Sequence, residues 1–322
     1  MKSLEEKIFE ANDSNFESLA LEVFEFQYKN CSVYKRFVDS LNRSKPNKIE
    51  EIPFLPIDFF KSQEIISSET KSDILFLSSG TTQQTRSKHF VVKPELYEKS
   101  FLKTYIKFTG KLENQVILAL LPNYLEQGNS SLVYMVENLV KATKNELSGF
   151  FKDDFDALLS NYEKAIAQDK KVVIFGVSYA LLDLAEQKPN LSQATIIETG
   201  GMKGRRKELS KTELHQILKE AFQTEYISSE YGMTELFSQA YSDKDEFFAL
   251  PSWMKILIRD TNDPFCYFPE NKTGGINVID LANLYSCSFI STQDLGQISE
   301  RGLKLMGRFD NADIRGCNLM VE

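Results

Sequence analysis

The sequence is poor in the residues that build metal centres and disulfide frameworks. It has four cysteines, Cys31, Cys266, Cys287 and Cys317, widely spaced and without a Cys-x-x-Cys, and only two histidines, His89 and His215. That scarcity argues against a zinc site or a disulfide scaffold. No apolar run approaches the roughly 20 residues needed to span a bilayer. The opening Met1-Lys2-Ser3-Leu4-Glu5-Glu6-Lys7 turns acidic at once and lacks the apolar stretch of a signal peptide. A cytoplasmic location is the expectation. Net positive charge is also missing: a formal charge of −8 argues against nucleic acid or an anionic membrane as a general partner, while leaving room for a local cationic site for phosphate. Neither Gly-x-Gly-x-x-Gly nor Gly-Lys-Ser/Thr occurs, which argues against a Rossmann dinucleotide site and a Walker loop.

What is present is a chain of 322 residues, 42% hydrophobic and 26% charged, a soluble globular composition long enough for one large α/β unit or two smaller ones. Residues 1 to about 45 read as helices. Ser14-Asn15-Phe16-Glu17 has the form of a capping box, and Phe16, Leu19, Ala20, Val23, Phe24 and Tyr28 recur at helical spacing. Ile52 to Lys61 carries two prolines and reads as an extended apolar strap. From residue 96 to 228 strands alternate with helices: Val116–Leu121, Lys171–Val177, Thr195–Ile197 and Tyr226–Ser228 as strands, with helices over 96–109, 132–142, 156–168, 178–186 and from the capping box Ser210-Lys211-Thr212-Glu213 to Phe222. That alternation predicts a largely parallel sheet covered by helices. From Phe247 onward short strands separated by turn residues predict antiparallel β-structure, with a small distorted barrel as the expected form. The expected divisions are an N-terminal segment, 1–70, an α/β core, 71–246, and a β-rich region, 247–322.

The polar clusters fall at the ends of the predicted strands, where open parallel sheets bind ligands. The most prominent is Ser78-Ser79-Gly80-Thr81-Thr82-Gln83-Gln84-Thr85-Arg86-Ser87-Lys88, between the apolar runs Ile74–Leu77 and Phe90–Val92. Hydroxyls, a glycine and two cations in one hairpin suit an anion: Gly80 permits positive φ and close approach, backbone N–H groups can form a nest, and Arg86 offers a planar fork. An ordinary polar hairpin is the alternative reading of the same residues. Further clusters are Thr199-Gly200-Gly201, Tyr231-Gly232-Met233-Thr234-Glu235, Asp294-Leu295-Gly296 and Gly307-Arg308-Phe309-Asp310.

In this order the clusters resemble the signatures of the adenylate-forming enzymes, the acyl- and aryl-CoA synthetase superfamily. More narrowly, the Phe59-Phe60-Lys61 strap, the Ser78-Ser79-Gly80-Thr81-Thr82 loop and Thr199-Gly200-Gly201 resemble the LuxE-type acyl-protein synthetase family over nearly the whole chain. The resemblance implies the fold of the large N-terminal domain of those enzymes, without their C-terminal small domain, since the sequence stops at Glu322 and Lys304 precedes the hinge-like segment. It also implies roles. Ser79, Gly80, Thr81, Thr82 and Arg86 would hold the triphosphate of ATP. Gly200 and Gly201 would lie flat against adenine and Tyr231 would stack on it. Thr234 would bond the α-phosphate and Glu235 would ligate Mg²⁺. Asp294 would accept from the ribose hydroxyls, with Arg308 reaching the same sugar. Cys317 would accept the acyl group. Gln83, Thr85 and Arg86 stand where the superfamily loop has glycine, proline and lysine, so the cation is kept at its spacing.

The function this implies is ATP-dependent activation of a carboxylic acid, fatty or aryl, to an acyl-adenylate, then acyl transfer to Cys317 or to a thiol on acyl carrier protein, CoA or an acyl reductase. The alternatives are a non-catalytic nucleotide- or acyl-binding subunit and an ATP-independent acyltransferase.

Overall fold

The computed structural model describes residues 2–79, 85–122, 128–200, 209–242 and 244–308. They form two compact units. One comprises the described residues up to 97 with 235–238 and 249–308; the other comprises the described residues between 98 and 234 with those between 239 and 248.

The second unit is built on apolar runs that have no polar alternation. Gln115–Leu120 and Lys171–Val177 are buried along almost their whole length, as expected of strands covered on both faces. They pair in parallel, Gln115 with Lys171 through Leu120 with Gly176. Gly149–Phe150 flanks them on one side, Ala194–Thr199 and then Ser228–Tyr231 on the other, all parallel, and Ala240–Ser242 closes the series antiparallel to Ser228–Tyr231. Helices Ser131–Thr143, Phe155–Ala167, Ser178–Ala185 and Lys211–Phe222 supply the crossovers. The capping box at Ser210 forms as predicted, its hydroxyl accepting from the Glu213 N–H while the Glu213 carboxylate accepts from the Ser210 N–H. The last parallel strand starts two residues later than the sequence pattern suggests.

The first unit carries an antiparallel meander, Met254–Arg259, Gly274–Asp280, Phe289–Ser299 and Gly302–Arg308. It follows an open order rather than the closed barrel that its short strands suggest. The proline strap joins this sheet: Leu55–Pro56 lies parallel to Ile290–Ser291, and Phe59–Ser62 makes one helical turn. Phe24, Tyr34 and Phe54 surround Phe289 at ring separations of 6.1–6.3 Å. On helix Phe16–Asn30 the polar Gln27 is fully buried and knits the helix to the turn 283–288, donating to the carbonyls of Asn283 and Leu284 and accepting from the Ser288 N–H. The predicted capping box at Ser14 does not form. Asn15 occupies the cap without a side-chain bond, the Ser14 hydroxyl turns back to Asn12, and Glu17 accepts instead from the Ile49 N–H. Strands Ile74–Leu77 and Lys88–Val91 pair antiparallel, the predicted stem of the hydroxyl-rich hairpin.

Candidate active site

Residues from four separate motifs come together in the first unit. Asp294 pairs with Arg308 and Leu295 with Gly307, after which the register slips so that Gly296 faces Leu305. This β-bulge is made possible at Gly307, whose φ of +110° is rarely open to a side chain. It sets the two motifs opposite one another, and the Arg308 Nε donates to the Asp294 Oδ1 at 2.9 Å. Asp294 is buried while the Arg308 side chain stays 70% exposed: the carboxylate is fixed and the guanidinium can reach out. Glu235 is buried as well. Desolvation raises its pKa, opposed by a hydrogen bond from the Ser87 hydroxyl and by the Arg308 charge, while Asp294 adds to the rise. Thus the exit strand of the hairpin, the end of the Tyr-Gly-Met-Thr-Glu run, and the Asp294/Arg308 bulge adjoin one another. Arg86 is exposed and donates its Nε to the Ser78 carbonyl at 2.5 Å, closing the base of the hairpin next to exposed Ser79. His89 is fully buried, with its Nε2 3.1 Å from the Asn283 Oδ1.

The second unit holds Gly200, Tyr231 and Thr234. Gly200 is exposed directly after strand Ala194–Thr199, with φ +75°. Tyr231 is 7% exposed and packs edge-on to Phe248 at 6.1 Å, as an ordinary core tyrosine also does. Thr234 is half-buried. Gly232 sits so close to the Glu230 carboxyl that an added Cβ would lie 2.3 Å from Oε1. Gly80, Thr81, Thr82, Gly201 and Cys317 lie outside the described residues.

Beneath Thr199 and Gly200 is a buried polar network that the motif reading missed. Glu198 accepts from the Ser178 hydroxyl at 2.5 Å, from the Ser229 hydroxyl at 3.0 Å and from Lys211 at 3.2 Å. Burial opposes its ionisation, yet His215, the Lys211 charge and the Ser178 hydroxyl together hold its pKa down at about 2. Its neighbour Glu230, bonded to the Thr199 hydroxyl, goes the other way. Desolvation, against the Thr199 bond and with repulsion from Glu198, pushes it up to about 7. The available signal was the four-residue spacing of Lys211 and His215, which puts both on one helix face. Ser229, His215 and Glu246 form a serine–histidine–acid line, at 3.2 and 3.6 Å. Ser229 is fully buried and its hydroxyl is committed to Glu198 and Lys211, so this is a structural lock rather than a nucleophile.

Residues 6–322 match the family model described as acyl-protein synthetase, LuxE, and the chain belongs to that family. Among curated proteins none matches. Among solved structures, ATP-bound MatB from Rhodopseudomonas palustris aligns with a TM-score of 0.54 and 18% identity over 76% of this chain and 49% of that one. A 2-hydroxyisobutyryl-CoA ligase in complex with 2-HIB-AMP and CoA aligns with a TM-score of 0.67 and 12% identity over 93% of this chain and 69% of that one. The chain thus spans about half the length of the MatB chain.

The described residues include one carboxylate suited to a magnesium ion. Among them there is no cluster of three or more His, Cys, Asp or Glu that could hold a cation by itself. Magnesium typically binds through one or two carboxylates, completing its shell with phosphates and water, and buried Glu235 beside the hairpin offers such a carboxylate. No helix among the described residues is long and apolar enough to cross a membrane.

Proposed function

We propose that this protein activates a carboxylic acid by adenylation and passes the acyl group to a thiol. The reaction joins the acid to the α-phosphorus of ATP, releases pyrophosphate, and then exchanges AMP for a thiolate sulfur. The observation that carries this reading is the adjacency of Glu235, Ser87 and the Asp294/Arg308 pair, which groups residues of four of the motifs implicated by the family around a buried carboxylate.

The division of labour follows from residue chemistry. Ser79, Gly80, Thr81, Thr82 and Arg86 bind the triphosphate through hydroxyl, backbone and guanidinium donors. Thr234 donates to the α-phosphate, where charge grows during attack. Glu235 holds Mg²⁺, which neutralises phosphate charge when bound. Asp294, fixed by Arg308, accepts from the ribose hydroxyls, and Gly200, Gly201 and Tyr231 flank the base. Cys317 follows Arg315-Gly316, and a nearby guanidinium favours the thiolate that accepts the acyl group. The acid is fatty or aryl, and acyl carrier protein, CoA or an acyl reductase is the onward acceptor.

The test is ATP-dependent formation of acyl-hydroxamate and AMP from a panel of fatty and aryl acids in hydroxylamine. The proposal expects at least one acid to give both products in equal amounts. ATP binding with neither product from any acid would favour the non-catalytic subunit instead. A hydroxylamine-sensitive adduct on the wild-type protein, absent from Cys317→Ser, would place the acyl group on that sulfur.

A further inference from the structure

Glu235 is held at both ends, and the second hold passes through residues to which the family motifs assign nothing. Asn283 is fully buried. Its Nδ2 donates to the Glu235 carbonyl at 2.8 Å and to the Cys287 carbonyl at 2.9 Å. Both amide hydrogens are thereby used, so the atom facing the His89 Nε2 at 3.1 Å is the amide oxygen, and His89 carries its hydrogen on Nε2 and donates it. Asn283 is itself fixed, its N–H donating to the Asp280 carbonyl and its carbonyl accepting from Gln27. Asp280 in turn accepts from the N–H groups of Phe237 and Ser238 at 2.7 and 2.9 Å and from the Ser238 hydroxyl at 2.6 Å. Phe237 lies against the His89 ring at 5.0 Å. Residues 235–238 are therefore pinned at Glu235, Phe237 and Ser238.

Ser87 and His89 are two residues apart, so they share one face of the hairpin's exit strand. From that face Ser87 bonds the Glu235 carboxyl directly, while His89 reaches the Glu235 carbonyl through Asn283. The exit strand of the hairpin and the acidic side chain are thereby locked in one register. We propose that His89 and Asn283 are positioning residues that pre-set Glu235 relative to the hairpin, so that phosphate and cation are met at once by a preorganised pair. The proposal rests on the reading of Glu235 as the magnesium-binding carboxylate.

The experiment compares His89→Gln, whose Nε2 can still donate to Asn283, with His89→Leu, which fills similar space without a donor. Calorimetric titration of ATP, with excess Mg²⁺ and separately in EDTA, accompanies steady-state kinetics. His89→Leu should bind ATP in EDTA as wild type does, lose at least fivefold of the tightening given by Mg²⁺, and drop at least tenfold in kcat with the acid KM unchanged. His89→Gln should stay within threefold of wild type in each. A folded His89→Leu with wild-type magnesium dependence and kcat overturns the proposal, and so does a His89→Gln as impaired as His89→Leu. Should His89→Leu fail to fold, Ser87→Ala decides: it should lose part of the same magnesium-dependent tightening, and an unchanged value overturns the proposal. Glu235→Gln separates the two layers. If it keeps the magnesium effect, the reading of Glu235 falls and the positioning role falls with it; if it loses the effect while His89→Leu keeps it, the positioning role alone is overturned.

Discussion

Asp294 and Arg308 face each other across a β-bulge, joined by a 2.9 Å hydrogen bond from guanidinium to carboxylate. Two motifs 14 residues apart in sequence meet because Gly307 takes a backbone conformation closed to most side chains. Since the Arg308 side chain is 70% exposed, this pair adds little to stability, about 1 kcal/mol at most. Asp294→Asn should therefore raise the KM for ATP roughly tenfold or more, the scale of a lost charged hydrogen bond, while urea unfolding shifts by less than about 1 kcal/mol. A variant with normal ATP kinetics would remove the pair from the site.

Arg86 gives a second separation of binding from folding. Its exposed side chain touches the hairpin base at the Ser78 carbonyl. Arg86→Ala should raise the KM for ATP about tenfold, with Arg86→Lys in between, because a point charge replaces a planar fork. Initial rates at varied ATP test the order; equal values for all three proteins would remove Arg86 from the site.

Glu198 sets the acid limb of stability. Its folded pKa, held at about 2 by His215, Lys211 and Ser178 against the cost of burial, lies below its ordinary 4.5. A depressed carboxylate stabilises the fold above its unfolded pKa and loses that contribution as pH falls from about 4.5 toward 2. Chemical denaturation from pH 6 to pH 3 should show this decline. Glu198→Gln, which leaves Lys211 without its buried counter-charge, should be less stable at pH 7 by on the order of 3 kcal/mol and flatter across that range.

Glu230 acts with the opposite sign. Its folded pKa is pushed up to about 7, chiefly by burial, from an ordinary 4.5. The stability it permits is present below about 4.5 and is lost as pH rises through about 7, since the unfolded chain ionises first. Glu230→Gln can still accept from Thr199 and removes the charge, so it should be more stable than wild type at pH 8, by on the order of 1–3 kcal/mol, and equal to it near pH 4. Thermal midpoints at the two pH values check both halves of this claim.

The parallel, helix-covered character of the second unit's sheet was readable because Val116–Leu121 and Lys171–Val177 are apolar without alternation, the pattern of strands covered on both faces. Ser210–Glu213 capped its helix as spacing implied, whereas Ser14–Glu17 did not, although the two read alike. The difference is local competition: Asn12 captures the Ser14 hydroxyl, leaving nothing for the helix. The candidate site residues that lie in short motifs, such as Asp294 and Arg308, stand out in the sequence, and the structure pairs these two. Contacts that depend on long-range burial do not stand out. Nothing near Asn283 in sequence announces that its amide joins His89 to Glu235, 194 residues and 48 residues away. Nor does a lone Glu198 announce that Lys211 and His215 will sit against it, because that contact is created by the crossover helix and not by local chemistry.

The central claim is that acid activation proceeds through a reversible adenylate formed with Glu235 in place, and isotopic exchange of pyrophosphate into ATP measures that step directly. With Mg²⁺ and a panel of fatty and aryl acids, the account predicts exchange that depends on at least one acid and falls on the order of 10²-fold in Glu235→Gln. Exchange absent from the folded wild-type protein with every acid, or undiminished in Glu235→Gln, would contradict it.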